Sequence, residues 1–184
     1  MKSLKGQLLI AAPGLASTFF SRTVILMLEH GEDGATGVVL NRPTEATVTD
    51  IAEPVLSEPF EWGKTLNLGG PVSGPLMVLH RAEDLADEQI VPGVFHTVED
   101  DKVREMIRER VEPSLILVNY AGWGPGQLEG EFDVESWLTL PATVDHVFWA
   151  GRRELWDVVV KAVNARRLSD FLGLREVPAD PNLN

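Results

Sequence analysis

Val24-Ile25-Leu26-Met27-Leu28 is an apolar run with no polar alternation. A strand that shows one face to the core alternates apolar and polar residues. A continuous run of strand length therefore predicts a strand covered on both faces. The reading places it over Arg22–Glu29, followed by His30-Gly31-Glu32-Asp33-Gly34 as a hairpin loop with two glycines. Thr36–Leu40 returns as the partner strand, and Asn41-Arg42-Pro43 ends the pairing because proline has no N–H to give a ladder. Such a hairpin needs a layer on each side, and the rest of the chain must supply both.

Leu8–Ala11 reads as a first strand. Two lysines ahead of it imitate a signal peptide, but the apolar run from Leu8 is only about six residues and follows Gly6 and Gln7. A short helix is expected around Thr49–Glu53, capped by Thr47 or Thr49, with Pro54 in its first turn. Leu66–Leu68, Leu76–His80, Val94–His96 and Leu115–Tyr120 read as strands. The clearest helix begins near Thr97, where Thr97 and Asp100 form a capping-box pattern. Val103, Met106, Ile107 and Val111 share one face of it, and Pro113 closes it. A second amphipathic helix over Arg153–Val163 buries Leu155, Trp156, Val159 and Val163, while Pro178–Asn184 reads as a frayed end.

Strands and helices do not alternate regularly in this order, which argues against a doubly wound parallel sheet. The expectation is an α+β fold: one domain over residues 1–184, with a mixed, strongly curved sheet flanked by helices. The absence of cysteine excludes disulfides and thiolate sites and fits a reducing compartment. No stretch reaches the ~18 apolar residues of a membrane span, so the chain is read as cytoplasmic, with no membrane partner. Its net charge of −12, from 28 Asp and Glu against 16 Lys and Arg, opposes a nucleic-acid partner, since phosphate contacts supply most of such affinity. Only Arg152-Arg153 and Arg166-Arg167 form local basic pairs.

The least ordinary stretch is Ala121-Gly122-Trp123-Gly124-Pro125-Gly126-Gln127-Leu128-Glu129-Gly130-Glu131. Glycine permits close backbone approach, so the turn fits either a ligand or tight packing. Neither this turn nor Gly69-Gly70-Pro71 carries the Lys-Ser/Thr of a phosphate loop or the spacing of a dinucleotide fingerprint. No cofactor is implied. His30, His80, His96 and His146 stand singly, without metal-ligand spacing, so no metal site is expected. His30 and His80 each end an apolar strand and are placed at a sheet rim, as hydrogen-bonded ends or as site groups. No serine lies in a Gly-x-Ser-x-Gly elbow. Gln127 and Glu131 would share a helical face, either to hold a ligand or arginine or to cap a helix start. Arg42 offers a five-donor fork that could hold an anion or pair with Glu131. The tryptophans are assigned to the core, with Trp123 partly exposed as the exception.

These landmarks together resemble the AlgH/YqgE family of bacterial proteins. The resemblance rests on Gly6-x-Leu8-Leu9-Ile10-Ala11-x-Pro13, Phe20-x-Arg22-x-Val24-Ile25 and Glu29-His30. It continues through Gly34-Ala35-x-Gly37-Val38-Val39-Leu40-Asn41-Arg42-Pro43, Gly69-Gly70-Pro71 and Leu79-His80. Ala121-Gly122-Trp123-Gly124-x-Gly126-Gln127-Leu128-Glu129-x-Glu131 and Trp137-Leu138 complete it, over roughly residues 4–165. Two departures stand out. Ser17-Thr18-Phe19 replaces the Asp the family tends to carry ahead of Phe-x-Arg, and the segment after Asn164, including a tail over residues 166–184, matches nothing in the pattern. The resemblance implies a branched sheet closing into a pseudo-barrel. For some members it brings a transcriptional-regulator label, without a mechanism.

The leading expectation is a non-enzymatic binding or regulatory domain for a protein or a small anionic ligand. Its site is expected from Asn41, Arg42, Gly69, Gly70, Trp123, Gln127 and Glu131, with His30 and His80 at the same rim. One alternative is a small enzyme with His30 or His80 as general base beside Glu131. The other is a regulator contacting DNA, which the charge opposes. Oligomeric state is left open.

Overall fold

The computed structural model describes residues 2–15 and 19–171, so the Ser17-Thr18 departure and the 172–184 part of the tail lie outside the described residues. The chain lays down β1 (Gln7–Ala11), β2 (Val24–Gly31) and β3 (Gly34–Val39), then β4 (Pro43–Thr47), α1 (Val48–Leu56) and β5 (Thr65–Leu68). β6 (Met77–His80), β7 (Glu88–Val91) and β8 (Val94–Thr97) lead to α2 (Asp100–Arg108) and β9 (Ser114–Val118). β10 (Ala121–Trp123), α3 (Gln127–Asp133), β11 (Trp137–Pro141), α4 (Val144–Val147) and α5 (Leu155–Phe171) complete the described fold.

Two sheets result: a five-stranded one in the order β10-β3-β2-β1-β11 and a six-stranded one in the order β4-β5-β9-β6-β8-β7. Every pair is antiparallel except β5 with β9. The mixed α+β expectation holds. Both sheets are open in their strand order, so the pairing among the described residues does not itself close a barrel.

The apolar runs explain the layering. Leu8, Ile10, Val24, Leu26 and Leu28 of the first sheet meet Met77, Leu79, Leu115 and Leu117 of the second in one inter-sheet core. Leu155, Trp156, Val159 and Val163 of α5 complete that core, as the spacing predicted. The alternate residues, Leu9, Ile25 and Met27, pack outward with Ala121, Trp123, Leu128 and Trp137. Val78 and Ile116 do the same on the far side of the second sheet, under α1 and α2. Successive strand side chains point to opposite faces, so a strand between two apolar layers must be apolar throughout. The Trp156 indole donates to the Ala11 carbonyl at 2.9 Å and ties α5 to β1.

The sheets are joined where the chain passes between them, from β3 to β4 and from β9 to β10. Val39 N–H donates to Gly69 O and Gly69 N–H to Val118 O, both at 2.8 Å, so β5 runs into the first sheet's edge. Asn119, at φ 64, turns the chain from β9 into β10.

Some local signals were outweighed. Thr97 does not cap α2: it is the last residue of β8, and the N-cap is Glu99. α1 starts at Val48, with Thr47 N–H donating to Asp50 Oδ2 at 2.7 Å, which leaves Pro54 inside the helix rather than in its first turn. The second amphipathic helix runs on to Phe171. Among the described residues, no helix is long and apolar enough to cross a membrane.

Candidate functional site

The glycine-rich stretch is closed around its own side chains. Trp123 is 5% exposed, against the expectation of a partly exposed indole, because it faces Trp137, itself 4% exposed. The two rings meet edge to face at 6.2 Å between centroids, and Phe20 stacks on Trp123 at 6.0 Å. Glu131 Oε2 accepts the indole N–H of Trp123 at 3.0 Å and that of Trp137 at 2.7 Å. Its Oε1 accepts from Gln127 Nε2 at 3.1 Å, and Gln127 Oε1 accepts the Gly124 N–H at 3.1 Å. The shared helical face of Gln127 and Glu131 is real, but it serves the turn and the indoles.

Arg42 does not pair with Glu131. Its Nη2 donates to the carbonyls of Phe19 and Ser21 at 2.6 and 3.1 Å, its guanidinium lies 4.9 Å from the Phe19 ring centre, and burial lowers its pKa from the usual value. Asn41 Oδ1 accepts from Val24 N–H and its Nδ2 donates to Arg22 O, at 2.9 and 2.8 Å. Both residues fasten the chain ahead of β2 to the end of β3. At Gly69 a Cβ would stand 2.4 Å from Asn119 O, and at Gly70 it would stand 2.0 Å from the Tyr120 carbonyl. These glycines let two backbones cross at a separation a side chain would not allow.

His30 Nδ1 accepts the Leu4 N–H at 3.1 Å, so Nε2 carries the proton that it directs to Glu129 Oε1 at 3.1 Å. Its carboxylate partner is Glu129, not Glu131. The Glu129 carboxyl lies below its usual pKa through its own backbone N–H and through His30. His80 is fully buried: Nδ1 accepts from Ala82 N–H at 3.2 Å and Nε2 meets Thr97 Oγ1 at 2.9 Å. Thr97 Oγ1 in turn donates to Leu85 O at 2.8 Å. In each histidine both ring nitrogens are engaged, and the two do not share a site: His30 joins α3, His80 lies within the second sheet.

A different place has the form of a site. A cleft of about 550 Å³ lies between the β4–β5 edge, the start of β9 and the Ala150–Glu154 turn ahead of α5. It is lined by Lys64, Asn67, Ser114, Arg152, Arg153 and Glu154 among others. Asn67 and Ser114 are 3% and 4% exposed, yet among the described residues Asn67 Oδ1 and Ser114 Oγ have no hydrogen-bond partner. Lys64 pairs with Glu112 at 2.6 Å. The Arg152 guanidinium donates to Val147 O, has no carboxylate partner among the described residues, and is brought down to about 10 by burial. Arg153 is exposed and makes no ion pair or hydrogen bond among the described residues.

An AlgH-like family model matches residues 8–167 of the chain. The chain belongs to the AlgH-like family. A UPF0301 protein of Chlorobium luteolum is 37% identical over 185 residues, covering 97% of this chain and 94% of the relative. One of Rhizobium meliloti is 40% identical over 167 residues, covering 84% and 83%. The solution structure of the AlgH protein from Pseudomonas aeruginosa superposes with a TM-score of 0.75 at 29% identity, over 97% of both chains. A crystal structure from Corynebacterium diphtheriae gives 0.69 at 27% identity, over 85% of both.

In this AlgH-like chain, the residues most marked in sequence are thus engaged in the fold's own contacts, most of them around the first sheet. The cleft draws on Asn67, Ser114 and Arg152, which no local motif connects. Two signals for it were visible: a lone amide inside Leu66-Asn67-Leu68, and Arg152-Arg153 as a basic pair in an acidic chain.

Proposed function

We propose that the chain is a non-catalytic binding domain whose ligand is a small oxyanion held in the cleft beside Asn67, Ser114 and the Ala150–Glu154 turn. The carrying observation is the buried Ser114 hydroxyl, without a partner among the described residues and free to donate to an oxyanion, in a cleft that also presents Arg152 and Arg153. A buried polar atom without a partner costs about 1–3 kcal/mol, so a ligand that satisfies it gains that much relative to solvent exposure elsewhere. Two arginines without carboxylate partners among the described residues, on a protein of net charge −12, concentrate positive potential where an anion enters. The cleft volume falls within the range of about 300–1,000 Å³ usual for small-molecule sites. Glu154 on the same turn limits the net positive charge and favours a small ligand over a polyanion. A cytoplasmic setting belongs to the same reading, supported by the absence of cysteine.

The test is a titration of the full chain with inorganic phosphate and with propionate, followed by amide NMR at low salt. Saturable shifts of Thr65, Ser114, Gly151 and Arg153, weakened several-fold in Arg153→Ala, are expected. Shifts that never saturate, or that map elsewhere, remove the proposal.

A further inference from the structure

We infer that the ligand of this cleft carries a hydroxyl or N–H donor beside its oxyanion, and that Asn67 is the residue that reads it. The inference rests on the binding reading above and narrows the ligand class from any small oxyanion to a hydroxylated or amide-bearing one.

The orientation of the Asn67 amide is set by its own strand. Its Nδ2 faces the Thr65 carbonyl at 3.4 Å. Turning the amide over would bring two oxygens together, so it is Oδ1 that is left without a partner. That oxygen accepts and cannot donate. A bare phosphate or carboxylate offers only acceptors there, and would set an anionic oxygen against a carbonyl oxygen. A donor on the ligand removes the conflict.

The position of Asn67 in the fold makes the amide costly to keep. Its register partner on β9 is Leu117, a member of the inter-sheet core, and cross-strand partners share a face. An apolar residue at 67 would continue that core at no desolvation cost, whereas an unpartnered amide at 3% exposure carries one. Ser114 differs in kind. Its backbone N–H is taken by Glu112 Oε2 at 2.9 Å, but its free hydroxyl can either donate or accept, so it fits the oxyanion as well as the donor group. Discrimination between ligands therefore falls to Asn67, and attraction to the arginines.

The experiment compares matched probes on the full chain by calorimetry or NMR titration: glycerol 3-phosphate against inorganic phosphate, and glycerate against propionate. The hydroxylated member of each pair is expected to bind about three- to ten-fold more tightly, the equivalent of one hydrogen bond. Asn67→Leu is expected to bring that ratio to about one. Should the variant not fold, the wild-type Asn67 side-chain NH₂ resonances supply the second readout. They are expected to shift with glycerol 3-phosphate and not with phosphate. Equal affinities for the paired probes in the wild type overturn the inference and leave the oxyanion site standing, with solvent alone then satisfying Oδ1. Discrimination that survives in Asn67→Leu overturns it as well. No saturable binding of any probe removes the site itself, and the inference with it.

Discussion

The Glu131 carboxylate accepts the indole N–H of Trp137 at 2.7 Å, and the same oxygen accepts that of Trp123 at 3.0 Å. One carboxylate at the end of α3 thereby holds two tryptophans that come from β10 and β11, the opposite edges of the first sheet. Indole N–H groups are donors only, and both rings are buried, so they depend on this acceptor.

Glu131→Ala leaves two buried donors without a partner and is expected to cost about 2–4 kcal/mol, against clearly less for Glu131→Gln, whose amide oxygen still accepts. Urea unfolding measures the loss, and near-UV circular dichroism reports the loosened indoles. A Glu131→Ala midpoint equal to the wild type contradicts this account.

Gly70→Ala is expected to be among the most damaging single substitutions, at about 3 kcal/mol or more, because its Cβ would enter the Tyr120 carbonyl at 2.0 Å. Gly124→Ala is expected to stay within about 0.5 kcal/mol, the nearest atom being Gln127 Oε1 at 4.0 Å. If the glycines served ligand approach instead of backbone crossing, both variants would fold equally well and differ only in binding.

Thr97 and Asp100 separate the sequence reading of α2 from the structure. Thr97→Val takes away the hydroxyl between His80 Nε2 and Leu85 O and is expected to cost about 1–3 kcal/mol. Asp100→Ala removes only an exposed pair with Arg104 at i+4, worth about 0.3–0.5 kcal/mol. A capping box would make both substitutions cost about 0.5–2 kcal/mol, so a near-wild-type unfolding midpoint for Asp100→Ala beside a clear loss for Thr97→Val decides.

Stability is expected to fall on acidification in two separate windows. Burial lowers the pKa of both His80 and His96 from the ordinary 6.5, and each is further influenced by charges around it. Below 6.5 the unfolded chain takes up protons that the folded chain refuses. Stability thus rises with pH through this range and is lost as pH falls from about 6.5 toward the lowered values. A second loss belongs to Asp87. Its burial works against ionisation, but Lys102 and the N–H groups of Val98 and Glu99 outweigh it and hold the carboxyl at about 2, down from 3.8. That contribution is present above 3.8 and disappears as pH falls toward 2. Urea midpoints at pH 7.5, 5.5 and 3 check both limbs, and imidazole resonances of His80 and His96 that titrate at or above 6.5 would refute the first.

The elements legible in the sequence were those whose environment repeats along the chain. Val24–Leu28 and Leu115–Val118 announced strands with two buried faces, and Leu155, Trp156, Val159 and Val163 announced the face of α5. The short strands β4, β7, β10 and β11 escaped, β4 because Pro43, read as ending the ladder, opens a strand against β5, and all four because three to five residues show little period of their own. The Thr97 cap failed for a related reason: its hydroxyl reaches a buried histidine on the neighbouring strand, and that partner outbids a local helix start.

The site follows the same division. Sequence alone determined the α+β class, the doubly covered strands and the family, since these depend on local period and on motifs kept in order. Tertiary structure decided what the marked residues do. It set Glu131 under two indoles, Arg42 on two backbone carbonyls, and Gly69-Gly70 at a backbone crossing. It also brought Asn67, Ser114 and Arg152 into one cleft from three separate elements. Hydrogen bonding and desolvation depend on which atoms meet in space, and for these residues the meeting partners lie on other strands and turns.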